Sequence, residues 1–177
     1  MYRDIVKGTS KATLYKFYDP HGIIAWLLER GTPIEDVVKV FKDALVGIMR
    51  VEGNVFLNEG INFIWQAITG ASGLTYFGSN SCIGVGDGTT SEDPSQTGLM
   101  GQNKYYKQVD SGYPQVSGTQ ATFQATFGPN EANFNWQEWT IANGCSDSAV
   151  NLNRKVSSLG SKPSGATWTL KVAVTIS

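Results

Sequence analysis

The sequence has few of the residues that build metal sites and catalytic centres. It contains one histidine, His21, and two cysteines, Cys82 and Cys145, which form no CxxC pair. Zinc sites and disulfide frameworks are recognised from closely spaced or numerous cysteines. We therefore predict two buried free thiols, and we expect neither a metal ion nor another cofactor.

An excess of charge and a long apolar run are also lacking. Lysine and arginine together number 14, and aspartate and glutamate 15. The nearly neutral chain therefore has no strong electrostatic field that would attract nucleic acid or an anionic membrane. No apolar run reaches the ~20 residues of a membrane span, and no basic stretch leads into a secretory signal core. We expect a chain made inside its host cell, with neither nucleic acid nor a membrane as its partner.

Residues 1–78 have the pattern of a mainly helical region after an extended start. Asp19 can cap a first helix that Gly31 ends. Thr32 begins a capping box for a second helix, in which apolar residues recur at threes and fours as far as Ile48. These signals predict two consecutive helices joined by a short turn.

A third helix is predicted between Asn54, as its cap, and Gly70, as its stop. An apolar side at helical spacing is typical of a helix that packs on another element. The residues on that side are Leu57, Ile61, Ile64, Trp65 and Ile68.

Residues 79–177 alternate polar and apolar side chains instead, as strands do. The clearest cases are 121–127 and 166–176, while SNSCIGVG and AVNLNRKVSSLG predict shorter strands. Around Glu138 the alternation changes parity, which indicates a bulge or a strand covered on both faces. We predict an α+β fold, in which a helical N-terminal region precedes an antiparallel β-sandwich or barrel.

The glycine-rich stretch CIGVGDGTTSEDPSQTGL, residues 82–99, invites comparison with phosphate and calcium loops. Its glycines alternate and no lysine follows them closely, so phosphate loops are excluded by spacing. A calcium site with Asp87, Glu92 and Asp93 as ligands stays open as the less favoured alternative, although the EF-hand pattern is absent. Its glycines are expected to let a strand leave the sheet and turn, and Asp87 to bind backbone amides. Asp87, Thr89, Thr90 and Glu92 form a possible contact loop.

Catalytic constellations are equally sparse. The single imidazole lies in the helical part, whereas both cysteines lie in the β part, so no Cys-His pair is indicated. Glu138, between Trp136 and Trp139, is the one carboxyl group whose aromatic neighbours could raise its pKa. We expect no enzyme, and keep open a carbohydrate-binding module that stacks sugars on Trp136, Trp139 and Tyr113.

Four motifs follow one another in the β part: GVGDGTT, then YPQVSGTQATFQATF, then NFNWQEW, then LNRKVSSLG with GATWTL. With them, residues 55–177 resemble a family of small head- or tail-associated structural proteins encoded by tailed bacteriophages and prophages. The chain departs from this family at WTIANGCSD, where relatives often carry WGVFNA, and in residues 1–50, which have no counterpart.

The resemblance implies a non-enzymatic protein of the virion, made in the cytoplasm of the bacterial host. The leading expectation is a capsid decoration or cement protein that binds the assembled shell, with tail, neck or fibre attachment as the alternative. A carbohydrate-binding adhesion module is a further alternative. The expected partners are major capsid or tail proteins and further copies of the chain, in a trimer or ring, because closed rings remove exposed sheet edges.

The N-terminal region contains apolar residues that could dock the protein on such a partner. They could equally cover one edge of the β domain, because exposed anchors and core residues look alike in sequence. These candidate docking residues are Phe17, Tyr18, Ile23, Trp26 and Leu27.

Overall fold

The computed structural model describes residues 8–176, which form three helices and ten strands in two antiparallel sheets. The first sheet has the order β2-β1-β10-β7-β6, and the second has the order β3-β9-β8-β4-β5. The helices are α1 (Ile23–Glu29), α2 (Ile34–Val40) and α3 (Asn58–Ile68). The strands are β1 (Gly8–Tyr18), β2 (Leu45–Glu52), β3 (Val55–Phe56), β4 (Cys82–Gly86), β5 (Lys104–Gln108), β6 (Gln115–Ser117), β7 (Gln120–Phe127), β8 (Asn135–Ala142), β9 (Asn151–Ser161) and β10 (Ala166–Ile176).

The two sheets share one apolar core, to which the strands of each contribute alternate side chains. At its centre the ring of Trp136 meets those of Phe127 and Trp168 edge to face, with centroids 4.8 and 5.0 Å apart. The mostly β architecture with antiparallel pairing is therefore confirmed, as are the strands predicted at 121–127 and 166–176.

The N-terminal region contains strands as well as helices, so the prediction of a mainly helical segment is not confirmed. β1 pairs with β10 along its whole length, from Gly8 opposite Ile176 to Tyr18 opposite Ala166. β2 pairs with β1, and β3 pairs with β9 of the second sheet. Each sheet thus contains strands from before residue 78 and strands from after it.

The second helix is much shorter than predicted, and its capping box does not form. α2 ends at Val40, no side chain caps its start, and the segment that includes Ile48 is β2. In LVGIMRVE the residues alternate between half-buried and exposed, so this stretch fits a strand as well as a helix. The edge of β1 provides the hydrogen-bond partners that decide between them.

α1 and α2 cover the outer face of the first sheet through a second apolar cluster. The Asp19 carboxylate accepts hydrogen bonds from the α1 amide of Ala25 at 3.0 Å and from the Thr167 hydroxyl at 2.8 Å. It therefore binds the first turn as predicted, but the N-cap position is Gly22 and not Asp19. Thr167 and Thr169, which alternation predicts to face water, are buried beneath this cover. The cluster consists of Phe17, Ile24, Leu28, Ile34 and Val37.

The prediction of free thiols is wrong, because Cys82 and Cys145 form a disulfide with their Cα atoms 5.4 Å apart. Cys82 begins β4 opposite Ala142, the last residue of β8. The chain after β8 therefore brings Cys145 to the neighbouring strand. The cysteine spacing in the sequence gave no sign of this pairing, which depends on the register of β4 and β8.

No helix in the range 8–176 is both long enough and apolar enough to span a membrane.

Candidate contact surfaces

The glycine-rich loop, here residues 87–103, is fixed to the second sheet by the buried side chain of Glu138. This carboxylate accepts backbone hydrogen bonds from Gly88 at 3.1 Å, Met100 at 3.0 Å and Gly101 at 2.7 Å. Arg154 donates to it from Nε at 2.7 Å, and both charged side chains are completely buried. The negative charge of Glu138 is thus matched by one cation and three amides.

The middle of the loop is held by residues of β9. Arg154 Nη1 donates to Gln96 Oε1 at 2.8 Å, and the backbone amide of Val156 donates to Glu92 Oε1 at 2.8 Å. Lys155 lies 3.3 Å from the same Glu92 oxygen. Both halves of the loop are therefore anchored, and its path over the sheet is set by buried polar contacts.

The alternating glycines make room for these contacts. A Cβ atom at Gly86 would lie 2.5 Å from Glu138 Oε1, and one at Gly84 would lie 2.6 Å from the ring of Tyr106. Any side chain at these positions would displace the groups that cover the sheet. The glycine pattern is thus explained by close packing within the chain, and the loop amides that could bind an anion already bind Glu138.

The four candidate contact residues fall into two pairs. Asp87 accepts hydrogen bonds from the side chain and backbone of Asn103 at 2.6 and 3.0 Å, which lower the pKa of its carboxyl group. The prediction that Asp87 binds backbone amides is confirmed. Glu92 is half-buried against β9, whereas Thr89 and Thr90 are exposed.

Two of the three aromatic residues proposed for sugar binding, and the carboxyl group of Glu138 between them, are inside the molecule, whereas Tyr113 is half-buried. Trp136 and Trp139 are both 0% exposed, so neither presents a face on which a sugar could stack. Glu138 is engaged with Arg154 and the loop amides. The parity change beside it is confirmed as a register shift between β8 and β9, and β8 is also buried on both faces.

Three of the five candidate docking residues are exposed where β1 ends and α1 begins, and we call them the α1 surface. It comprises Tyr18, Ile23 and Trp26, whose exposed fractions are 66%, 54% and 54%. Phe17 is 0% exposed and belongs to the cluster beneath α1, and Leu27 packs against that cluster. Tyr18, Ile23 and Trp26 are thus exposed, as docking residues would be, whereas Phe17 and Leu27 help to cover the sheet.

A second exposed apolar patch, which the sequence did not single out, lies on α3. Ile61, Trp65 and Ile68 are 40%, 62% and 69% exposed, although we expected them on the packed side of this helix. Its buried residues are Gly60 and Phe63. The sequence shows apolar residues on two sides of α3, and only the tertiary structure tells which side faces water.

The α3 patch borders an apolar groove. Two adjoining cavities of about 660 and 320 Å³ share Phe56, Ile64 and Ile176 as wall residues. We call this groove together with Ile61, Trp65 and Ile68 the α3 surface.

The α1 and α3 surfaces lie at opposite ends of the molecule. Gly8, the first residue of β1, lines the groove of the α3 surface, and Tyr18, the last, belongs to the α1 surface. An eleven-residue strand spans about 33 Å. The chain therefore presents an exposed tryptophan near each end of β1.

Within residues 8–176, no three histidine, cysteine or acidic side chains come together in a way that could hold a metal ion. No protein-family model, no curated protein and no solved structure matches this chain. The basis for proposing a function is therefore the motif resemblance described above together with the geometry of the chain.

Proposed function

We propose that this chain is a non-enzymatic structural protein of a tailed-bacteriophage virion, and that it acts as a decoration or cement protein on the assembled capsid. Attachment at the tail, neck or fibre is the alternative within the same class. The observation that carries the proposal is the pair of exposed apolar surfaces at opposite ends of two packed sheets.

Clusters of exposed aromatic and aliphatic residues mark sites of protein contact, because monomeric proteins rarely leave such patches exposed to water. The α1 surface adds a cation to its aromatic residues, since the Arg30 guanidinium lies 4.7 Å from the Trp26 ring centroid. Aromatic residues and arginine are the types enriched at the centres of interfaces. We assign the docking of the protein on the particle to this surface.

The side chains and amides that could have bound a ligand or catalysed a reaction instead bind other groups of the same chain. Glu138 and the loop amides bind one another, and the cysteines are joined. These contacts support a role in which the molecule offers a rigid shape to its neighbours. A protein that binds the assembled shell but not its separate subunits stabilises the shell by its own binding free energy.

The test uses particles of the phage that carries this gene, prepared with and without the gene. We expect the protein in wild-type particles, and added purified protein should restore it to the deficient ones. Trp26→Glu should abolish this rebinding, because a charge would be buried at the interface. Absence of the protein from wild-type particles would contradict the proposal.

The place of the protein and its effect on heating separate the two alternatives. Density distributed over the shell, with deficient particles that break at a lower temperature, supports the cement role. A single ring of copies at one vertex supports the neck or tail, and equal heat resistance argues against the cement role.

A further inference from the structure

We propose that the side chains of Lys162 and Asn133 join in a covalent amide bond within the chain, with loss of ammonia. The bond needs neither a partner nor a cofactor. It therefore goes beyond the proposed function and holds whether or not the protein belongs to a virion.

The amine of Lys162 is enclosed by the protein, with only 2% of the residue exposed. Its Nζ donates hydrogen bonds to the backbone carbonyl of Gly128 and to Asn133 Oδ1, each at 2.7 Å. Both acceptors are neutral, so neither supplies the negative charge that would stabilise a buried ammonium. Burial lowers the pKa of Lys162 to about 8, although the charge of Glu131 opposes this shift. Near pH 8 about half of the molecules therefore carry the neutral amine, which is the nucleophilic form.

The carboxamide of Asn133 is held against this amine by two hydrogen bonds. Its Oδ1 accepts from Lys162, and its Nδ2 donates to the backbone carbonyl of Pro129 at 3.0 Å. Because a C=O bond is about 1.23 Å long, an oxygen 2.7 Å from Nζ places Cγ about 3–4 Å from Nζ. This distance is close to the separation of about 3–3.5 Å from which positioned groups react.

The reaction balances without an oxidant or a co-reactant. The Nζ lone pair of Lys162 adds to Cγ of Asn133, a proton passes from Nζ to Nδ2, and the Cγ–Nδ2 bond breaks to release ammonia. One amide bond thus replaces another. Asn133 is exposed, so water reaches the site to carry the proton, and the ammonia leaves to solvent. The fold holds the two groups together continuously, which favours a step that is slow between free molecules.

The two residues lie in the connections that cross from one sheet to the other. Asn133 lies between β7 of the first sheet and β8 of the second, and Lys162 lies between β9 of the second sheet and β10 of the first. The two connections also touch through the Gly165 amide, which donates to the Pro129 carbonyl at 3.1 Å. The amide bond therefore ties both crossings together at one point.

The experiment measures the intact mass of the purified full-length protein after incubation at pH 9, where the Lys162 amine is mainly neutral. We expect a mass lower than that of the unmodified chain by one ammonia molecule. Proteolysis should then yield a branched fragment in which the peptide of Lys162 is joined to the peptide of Asn133.

Three variants assign the loss to these two side chains. Lys162→Met removes the amine and Asn133→Ala removes the carboxamide, so each should keep the full mass of its own sequence. Asn130→Ala is the matched control, because Asn130 is an exposed asparagine of the same turn, and this variant should still lose ammonia. Circular dichroism shows whether each variant is folded.

A wild-type protein that keeps its full mass after the incubation would overturn the proposal. A loss of ammonia that persists in Lys162→Met would also overturn it, because an asparagine that cyclises onto its own backbone loses ammonia without any lysine. Neither result bears on whether Trp26 docks the chain on particles. The failure of this proposal and that of the proposed function are therefore distinguishable.

Discussion

Two segments cover the outer faces of the two sheets, and the main contacts that attach them differ in kind. α1 and α2 lie on the first sheet through an apolar cluster that includes Phe17 and Leu28. Loop 87–103 lies on the second sheet through the buried ion pair of Glu138 and Arg154 and through backbone hydrogen bonds. Each face is thus covered by a different physical means.

The difference has consequences for how each segment tolerates change. Apolar packing is non-directional and accepts substitutions that keep the volume. A buried ion pair stabilises only when each group meets its partners, so it fixes the loop in one position. We therefore expect α1 and α2 to vary without loss of the fold, and loop 87–103 to hold Thr89 and Thr90 in a constant place.

The largest effect is expected when the ion pair is broken. Glu138→Ala leaves Arg154 buried without its counter-charge and three loop amides without their acceptor, so we expect the free energy of unfolding to fall by about 3–5 kcal/mol. Urea denaturation measures this loss. Asp36→Ala removes the exposed pair with Lys39, 3.4 Å long, and should cost less than about 1 kcal/mol. Equal losses in the two variants would contradict the role of burial.

The apolar cover is tested by Phe17→Ala. Phe17 is completely buried between β1 and the helices, so we expect a loss of about 3–4 kcal/mol in the free energy of unfolding. Trp26→Ala, at an exposed site, should change it by no more than about 0.5 kcal/mol. If Trp26→Ala proved as destabilising as Phe17→Ala, the α1 surface would be part of the core.

The smallest effect concerns Asp110, a buried carboxylate on the outer face of the first sheet. Burial raises its pKa to about 6, although hydrogen bonds from Gln124 and Thr126 oppose this shift. Between pH 4 and 6 the folded protein therefore binds a proton that the unfolded chain releases, and this carboxylate destabilises the fold increasingly as the pH rises through that window.

The sign can be checked with Asp110→Asn, which does not titrate. Relative to the wild type, the stability of this variant should rise by on the order of 2 kcal/mol from pH 4 to pH 6 and stay level above pH 7. The comparison uses urea unfolding at each pH. Parallel pH profiles for the two proteins would show that Asp110 titrates normally.

The sequence predicted elements whose signals are local. β7 and β10 are predicted from strict alternation of polar and apolar residues. Gly31 and Gly70, which were predicted to end two helices, come just after the ends of α1 and α3 and have φ of 90° and 76°. The bulge beside Glu138 was visible as a change of parity. Each of these features depends on residues only a few positions apart.

The features that the sequence did not reveal depend on distant partners. Thr167 is buried because the segment that leads into α1, 148 residues earlier, places the Asp19 carboxylate against its hydroxyl. β2 is a strand because β1 offers it an edge. In the same way, Trp65 and Phe63 look equivalent along α3, and only their surroundings make one a surface residue.

β1 connects the two apolar ends of the molecule and is hydrogen-bonded on both sides, to β10 and to β2. A pull applied between Gly8 and Tyr18 would therefore stretch a strand that is already extended and is held on both sides by its neighbours. The distance between the two ends of β1 is thus fixed at about 33 Å, so partners bound at both ends would be held at a constant spacing.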